Sequence, residues 1–115
     1  MRTQLVKLEE LMPAIKAELL TTSMRADISG CYISDLLSDV LAHAEPAVLW
    51  ATVQTHRNVI SVAATKDIAA VLFTCDRQPE AGVVAEAEEQ GIVLLATSLT
   101  TYEAAGRLWE AGLRE

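Results

Sequence analysis

Aromatic residues are scarce in this chain. Two Trp, two Tyr and one Phe make up 4% of its 115 residues, so a core has to be aliphatic, built from Val, Leu, Ile and Ala. Positive charge is also thin. Nine Lys and Arg face sixteen Asp and Glu, for a net charge of −7, and the cations are scattered. A nucleic-acid binder needs a basic stripe with aromatic platforms, so no nucleic-acid partner is expected, and anionic membrane surfaces are disfavoured too. No apolar run approaches the roughly 18–20 residues that span a bilayer. The first residues turn acidic at Glu9 and Glu10 without an apolar leader core, which reads as a cytoplasmic chain with no membrane segment.

Cysteine appears twice, as Cys31 and Cys75, outside any C-x-x-C pair. The expectation is two buried free thiols. An iron–sulfur cluster ordinarily takes four cysteines, which only two copies pooling both of theirs would supply, with Cys31 at a dimer axis. Neither G-x-G-x-x-G nor G-x-x-x-x-G-K-[ST] occurs, and neither His43 nor His56 has a second His or Cys at metal-ligand spacing. No cofactor and no metal are expected. An Asp76 following a strand suggests a phospho-acceptor receiver, but the acidic pair after a first strand and the Lys after the last are missing.

What is present is rhythm. Ala47–Val53, Ala70–Phe73 and Ile92–Ala96 are short apolar runs rich in β-branched residues, the pattern of parallel strands covered on both faces. Helical patterns separate them. His56–Ala64 puts Val59, Ile60 and Ala63 on one face. Pro79–Gln90 turns Val83, Val84 and Ala87 inward, with Pro79 suited to the first turn and Gly91 to the position past the end. A last helix opens at Thr100, where Glu103 three residues on completes a capping box, and Tyr102, Ala105, Leu108, Trp109 and Gly112 would line one face. Strand–helix repeated three times makes an α/β fold, a mostly parallel sheet with helices on both faces. No linker divides it, so residues 1–115 read as one domain. In the first part, Gln4–Met12 looks helical, with Leu5, Leu8, Leu11 and Met12 on one side and Pro13 ending it. Ala17–Thr22 reads as a short strand. Arg25–Ile33 reads as a strand or extended turn around Gly30. Ser34 would cap a helix to about His43, with Asp35 in its first turn.

The stretch from Asp27 to Val40, with Trp50–His56 and Asn58, resembles the DRTGG domain family. Asp27 and Gly30 match the signature pentapeptide and Ser29 stands in for its Thr, whereas Ile28 and Cys31 depart from it. Tyr32, Ser34, Asp35, Leu36, Leu37, Ser38 and Asp39 resemble the family's continuation. The resemblance implies a fold similar to the N-terminal domain of HPr kinase/phosphorylase. It also implies a kinship with accessory domains of phosphotransacetylases and of nucleotide-sensing pyrophosphatases, which look regulatory or dimer-forming. Stand-alone members tend to be encoded near iron-only hydrogenase components. Functions that depend on the pentapeptide's Arg or second Gly are put in doubt by Ile28 and Cys31.

The residues themselves point to two segments. Gln54, Thr55, His56 and Asn58 should lie where a parallel strand ends and a helix begins, the place where open α/β sheets bind ligands and helix N-termini attract anions. The bland alternative is helix capping by Thr55. Asp27, Ser29 and Gly30 form a turn that could approach a phosphate, or one that simply needs a glycine of positive φ. Asp35 and Asp39, a helical turn apart with Ser38 beside them, could hold a cation or form a solvated helix start. Tyr32, Trp50 and Trp109 are the candidates for a dimer interface. No nucleophile–base–carboxylate set is legible. The expectation is therefore a non-catalytic regulatory or interaction module that self-associates, as a homodimer, and modulates a metabolic enzyme. The alternative is a sensor of a nucleotide or another anionic metabolite beside Gln54–Asn58. An enzyme using His56 or Cys31 would need a pocket that joins one of them to a carboxylate.

Overall fold

A computed structural model describes residues 5–23 and 25–115. In chain order the elements are β1 (Val6–Lys7), α1 (Leu8–Leu11), β2 (Glu18–Leu19), β3 (Asp27–Ile28), β4 (Cys31–Ile33), α2 (Leu37–His43), β5 (Leu49–Thr52), α3 (Asn58–Thr65), β6 (Ala70–Phe73), α4 (Val83–Gln90), β7 (Val93–Ala96) and α5 (Thr101–Glu110). The main sheet runs β2-β7-β6-β5-β4, and β1 and β3 make a separate two-stranded ribbon. Strands β4, β5, β6 and β7 are mutually parallel, and only β2 runs antiparallel, against β7. The α/β class with its mostly parallel sheet holds, and the three anticipated strand–helix units are joined by a fourth, β4–α2.

Each central strand is buried along its whole length. Alternation along a strand sends successive side chains to opposite faces, and two cores result. Trp50, Val71, Phe73 and Leu94 pack with Val40, Val59, Ile60, Ala63, Val83 and Ala87 beneath α2, α3 and α4. Leu49, Ala51, Ala70, Leu72, Val93 and Leu95 pack with Leu8, Leu11, Ala104, Leu108 and Leu113 beneath α1 and α5. Helices thus cover both faces.

Local readings shift at several places. Val6 and Lys7 are strand, paired with Ile28 and Asp27, so the first helix keeps only Leu8–Leu11. Leu5 is exposed, and Gln4 lies outside the described residues. The sheet ribbon outcompetes a helix too short to nucleate alone. The fourth helix starts at Val83, not Pro79, because Gly82 takes a left-handed turn just ahead of it. The second helix starts at Leu37. Ser34 does not cap it; its hydroxyl accepts the Leu36 amide in a local turn instead. In α5 the buried side chains are Ala104 and Leu108, while Tyr102 and Trp109 face outward. Of the anticipated inward stripe, Leu108 is the member that reaches full burial.

Two glycines differ in kind. Gly30 has no positive φ, contrary to the turn reading. A Cβ at Gly30 would lie 2.8 Å from the backbone carbonyl of Glu115, which also accepts the Cys31 amide at 2.6 Å. The glycine is there for a close backbone approach. Gly106 sits inside α5, where a Cβ would meet nothing within 4 Å. A helical glycine costs about 1 kcal/mol relative to alanine, and nothing in this chain calls for it.

Gly30→Ala should lower stability by about 1–3 kcal/mol in denaturant melts, and removing Glu115 in the same chain should recover part of that loss. The capping box of α5 is complete, with the Glu103 amide on the Thr100 hydroxyl and the Thr100 amide on the Glu103 carboxylate. The Thr100 backbone amide and hydroxyl hold the Glu103 carboxyl below its ordinary 4.5. This contribution is full above that value and is lost as pH falls through the lower folded one. The stability gap between wild type and Thr100→Ala should therefore narrow below pH 4.5 in urea titrations.

Candidate functional site

The carboxyl ends of the parallel strands carry a row of buried threonines. Thr52 closes β5, Thr74 follows β6 and Thr97 follows β7. The Thr52 hydroxyl donates to Asp35 Oδ1 at 2.8 Å and accepts the Gln54 amide at 3.1 Å. Thr74 and Thr101 share a hydroxyl–hydroxyl bond of 2.6 Å. Thr97 donates to the Ile15 carbonyl at 2.7 Å and accepts the Leu99 amide. Every buried side-chain polar atom among the described residues has a partner. These hydroxyls tie the strand ends to the neighbouring loops. The motif Leu-Trp-Ala-Thr, Ala-Val-Leu-Phe-Thr and Val-Leu-Leu-Ala-Thr was visible in the sequence as a threonine ending each apolar run.

Asp35 joins the two segments singled out by the sequence. One carboxylate oxygen takes both the Thr52 hydroxyl and the Val53 amide, each at 2.8 Å. It ties the β4–α2 connection onto the end of β5 instead of sitting in the first turn of α2. Asp39 faces other partners. Its two oxygens meet the Tyr32 hydroxyl at 2.9 Å and His43 Nδ1 at 3.1 Å. The Ser34 hydroxyl, the Tyr32 hydroxyl and the His43 ring hold its carboxyl below the usual value. The two aspartates are thus engaged separately, and Ser38 stands exposed between them.

Around α3, the N-cap is Arg57 and no side chain caps it, Thr55 included. The Asn58 amide donates to His56 Nδ1 at 3.1 Å, and the Val59 and Ile60 amides bond to the His56 and Arg57 carbonyls. The first-turn amides that would attract an anion are already used. The Thr55 carbonyl accepts the Glu80 amide, and Arg57 pairs with Glu86 at 3.4 Å. Gln54 and Asn58 are exposed. The crevice anticipated here depends on a reversal of strand order. The order β4-β5-β6-β7 never reverses, and α2, α3 and α4 all lie on one face.

The other candidates lie elsewhere. Asp27, opposite Lys7 in the ribbon, borders an open groove of about 560 Å³ with Arg25 and Glu9. Ser29 and Gly30 border a second groove of about 540 Å³ with Cys31, Tyr32 and His43, along the open edge of β4. Ser29 is bound into the fold, its hydroxyl on the Pro46 carbonyl and its amide on the Ala47 carbonyl. Of the interface candidates, Trp50 is fully buried with its indole N–H on the Ser34 carbonyl at 2.8 Å, which removes it from any surface. Tyr32 is half-buried on the α2 side, and Trp109 is exposed.

Cys31 and His43 share the second groove, yet they do not form a nucleophile–base pair. Cys31 packs on the α1–α5 side of the sheet and Tyr32 on the α2 side. Burial pushes the Cys31 thiol up to about 12, so it stays protonated at neutral pH. Among the described residues no three His, Cys, Asp or Glu side chains gather as metal ligands, and no helix is long and apolar enough to cross a membrane.

Cys75 departs from the buried thiol that the sequence suggests. It is exposed, and it and Asp76 both take left-handed backbone, φ 59°. The Thr101 backbone amide, then the hydroxyls of Thr74 and Thr101 and the Arg77 charge, lower its thiol below the usual value. In native protein one thiol should react quickly with Ellman's reagent, and Cys75→Ser should abolish that phase. The second should appear only on unfolding.

The chain is similar to a solved structure of the CBS and DRTGG domains of the regulatory region of Clostridium perfringens pyrophosphatase, complexed with an activator, diadenosine tetraphosphate. The TM-score is 0.75 at 10% sequence identity, covering 91% of this chain and 46% of that one. This chain therefore spans a little under half the length of that structure, and the likeness establishes a shared fold. No family model and no curated protein matches the sequence.

Proposed function

We propose that this chain is a non-catalytic, DRTGG-like regulatory module that self-associates and modulates a metabolic enzyme or complex, a hydrogenase-related one being the first to test. One observation carries the reading. Leu36, just ahead of α2, and Leu41, on it, are exposed, at the end of the stretch that resembles the family, and Ile33 is exposed at the β4 edge on the opposite face of the sheet. The charges beside them are satisfied internally, Asp35 by Thr52 and Val53 and Asp39 by Tyr32 and His43. Exposed apolar side chains on α2 beside an unpartnered sheet edge suit a protein partner. The residues that chemistry would need are committed to structure, which agrees with a module whose output is binding. The fold shared with a pyrophosphatase regulatory region supports the same reading.

Leu36→Glu with Leu41→Glu should leave the melting temperature within a few degrees of wild type. It should also abolish capture of the partner enzyme and the change in that enzyme's activity on adding the chain. Equal capture by both forms would overturn the role of this patch.

A second reading is favoured by the nucleotide activator in the similar structure. Here a nucleotide or acyl phosphate would be held by the exposed side chains of Gln54, His56 and Asn58, the backbone amides being occupied. Millimolar diadenosine tetraphosphate, ATP or acetyl phosphate should then raise the melting temperature, and His56→Ala with Asn58→Ala should remove the rise. No shift with any of the three would end this reading for those ligands.

A further inference from the structure

The main sheet has two outer strands, β2 and β4, and they are guarded differently. Strand β2 is two residues long and turns the charged Glu18 to solvent, a common protection against edge pairing. Strand β4 reads Cys31, Tyr32, Ile33. It carries no charge and no Pro, and its Tyr and Ile favour extended backbone. The direction of its backbone groups follows from the pairing with β5. Cys31 stands opposite Leu49 in a parallel pair, and the Leu49 amide bonds to the Gly30 carbonyl. In a parallel ladder this turns the Tyr32 backbone toward β5 and the Cys31 and Ile33 backbones outward. The outward side already holds main chain. The Cys31 amide donates to the Glu115 backbone oxygen at 2.6 Å, and Gly30, lacking a Cβ, leaves that residue its room. The Cys31 carbonyl and the Ile33 amide and carbonyl face the open margin beyond it.

We propose that β4 accepts a further strand from a partner protein, an extended segment that runs parallel to β4 and carries Lys or Arg at its start; the proposal rests on the reading of the chain as a partner-binding module. Direction comes from Glu115. An antiparallel neighbour exchanges both backbone bonds with the residue opposite it, and the Glu115 oxygen already holds the Cys31 amide. A parallel neighbour needs only the groups that are left. One of its residues donates to the Cys31 carbonyl and accepts from the Ile33 amide, and the residue two further on donates to the Ile33 carbonyl. The Glu115 oxygen sits where the carbonyl two residues earlier in such a strand would sit. The incoming segment therefore starts beside Glu115 and extends the parallel run of β4 to β7. Charge comes from the groove of about 540 Å³ at that starting point. Glu45 and Glu115 line it, no Lys or Arg does, and His43 in its wall is held by Asp39. A basic start to the segment meets these carboxylates on a chain of net charge −7, a complementarity that selects partners. Main-chain bonds supply the grip in strand addition, and alternate side chains the selectivity. A second copy fits poorly, because β4 paired with β4 about a two-fold axis is antiparallel and meets the Glu115 contact twice.

The test titrates the full, isotope-labelled chain with a synthetic peptide, acetyl-Lys-Lys-Val-Thr-Val-Thr-amide, to millimolar concentration. Amide resonances and hydrogen exchange are followed. The Ile33 amide should shift, and its exchange should slow by about tenfold or more at saturation. Methylating the backbone nitrogens of both peptide valines should abolish the effect, and an analogue with Glu in place of both Lys should bind about tenfold more weakly. Ile33→Pro removes an outward donor and no bond to β5, so this variant should melt within a few degrees of wild type and lose the peptide. Glu45→Lys, at an exposed position, should melt like wild type and weaken the peptide about threefold. Where Ile33→Pro fails to fold, the methylated peptide still decides. The strand-accepting edge falls if the peptide leaves the Ile33 amide unmoved, or if the methylated peptide binds as well as the plain one. Equal binding of the acidic analogue overturns the basic partner. None of these failures touches the capture experiment on Leu36 and Leu41, which reads α2 and decides the module reading by itself.

Discussion

Strands covered on both faces tolerate polar groups only at their ends, and most of this molecule follows from that constraint. With β5, β6 and β7 buried along their length, a hydroxyl or carboxylate within them would lose water without finding a partner. The polar residues are displaced to the strand termini. There Thr52, Thr74 and Thr97 turn their hydroxyls onto neighbouring loops, and Asp35 ties the β4–α2 connection to the end of β5. The loop ends are thereby fixed to the sheet.

Surface chemistry is consequently left to the edge and the outer helix faces. Ile33 is exposed at the open margin of β4, Leu36 and Leu41 at α2, and Tyr102 and Trp109 on α5. These are apolar features of a chain rich in negative charge, and α2 and α5 cover opposite faces of the sheet.

The strands and the order of the last three units were legible because fully buried strands write themselves as unbroken apolar runs, as Ala70–Phe73 does to the residue. The capping box at Thr100 and Glu103 was legible because it is a contact between near neighbours in sequence. The rest depended on contacts that sequence spacing does not carry. Val6 is strand because Ile28 is beside it. Gly30 is glycine because the Glu115 backbone arrives there. Asp35 leaves its helix because Thr52 and Val53 offer better bonds, and Trp50 goes inward because a Ser34 carbonyl waits for its indole N–H. In α5 scarcity of aromatics does not send them inward: Ala104 and Leu108 fill the core side, and Tyr102 and Trp109 face out. The candidate residues, close in sequence, are distributed between two grooves, the outer side of α2 and the strand ends.

The sheet's strand order also sets the cost of closing each strand pair. Strands β4 to β7 each lie beside the next to be made, so the parallel part closes through loops of modest length. Strand β2 is different: Glu18 meets Ala96, near the other end of the chain. Among the strand pairs its closure spans the longest loop and carries the largest loop entropy. That cost is offset by the burial of Leu8, Leu11 and Ile15 and by the bonds of Leu20 and Thr21 to Leu94 and of Thr97 to Ile15.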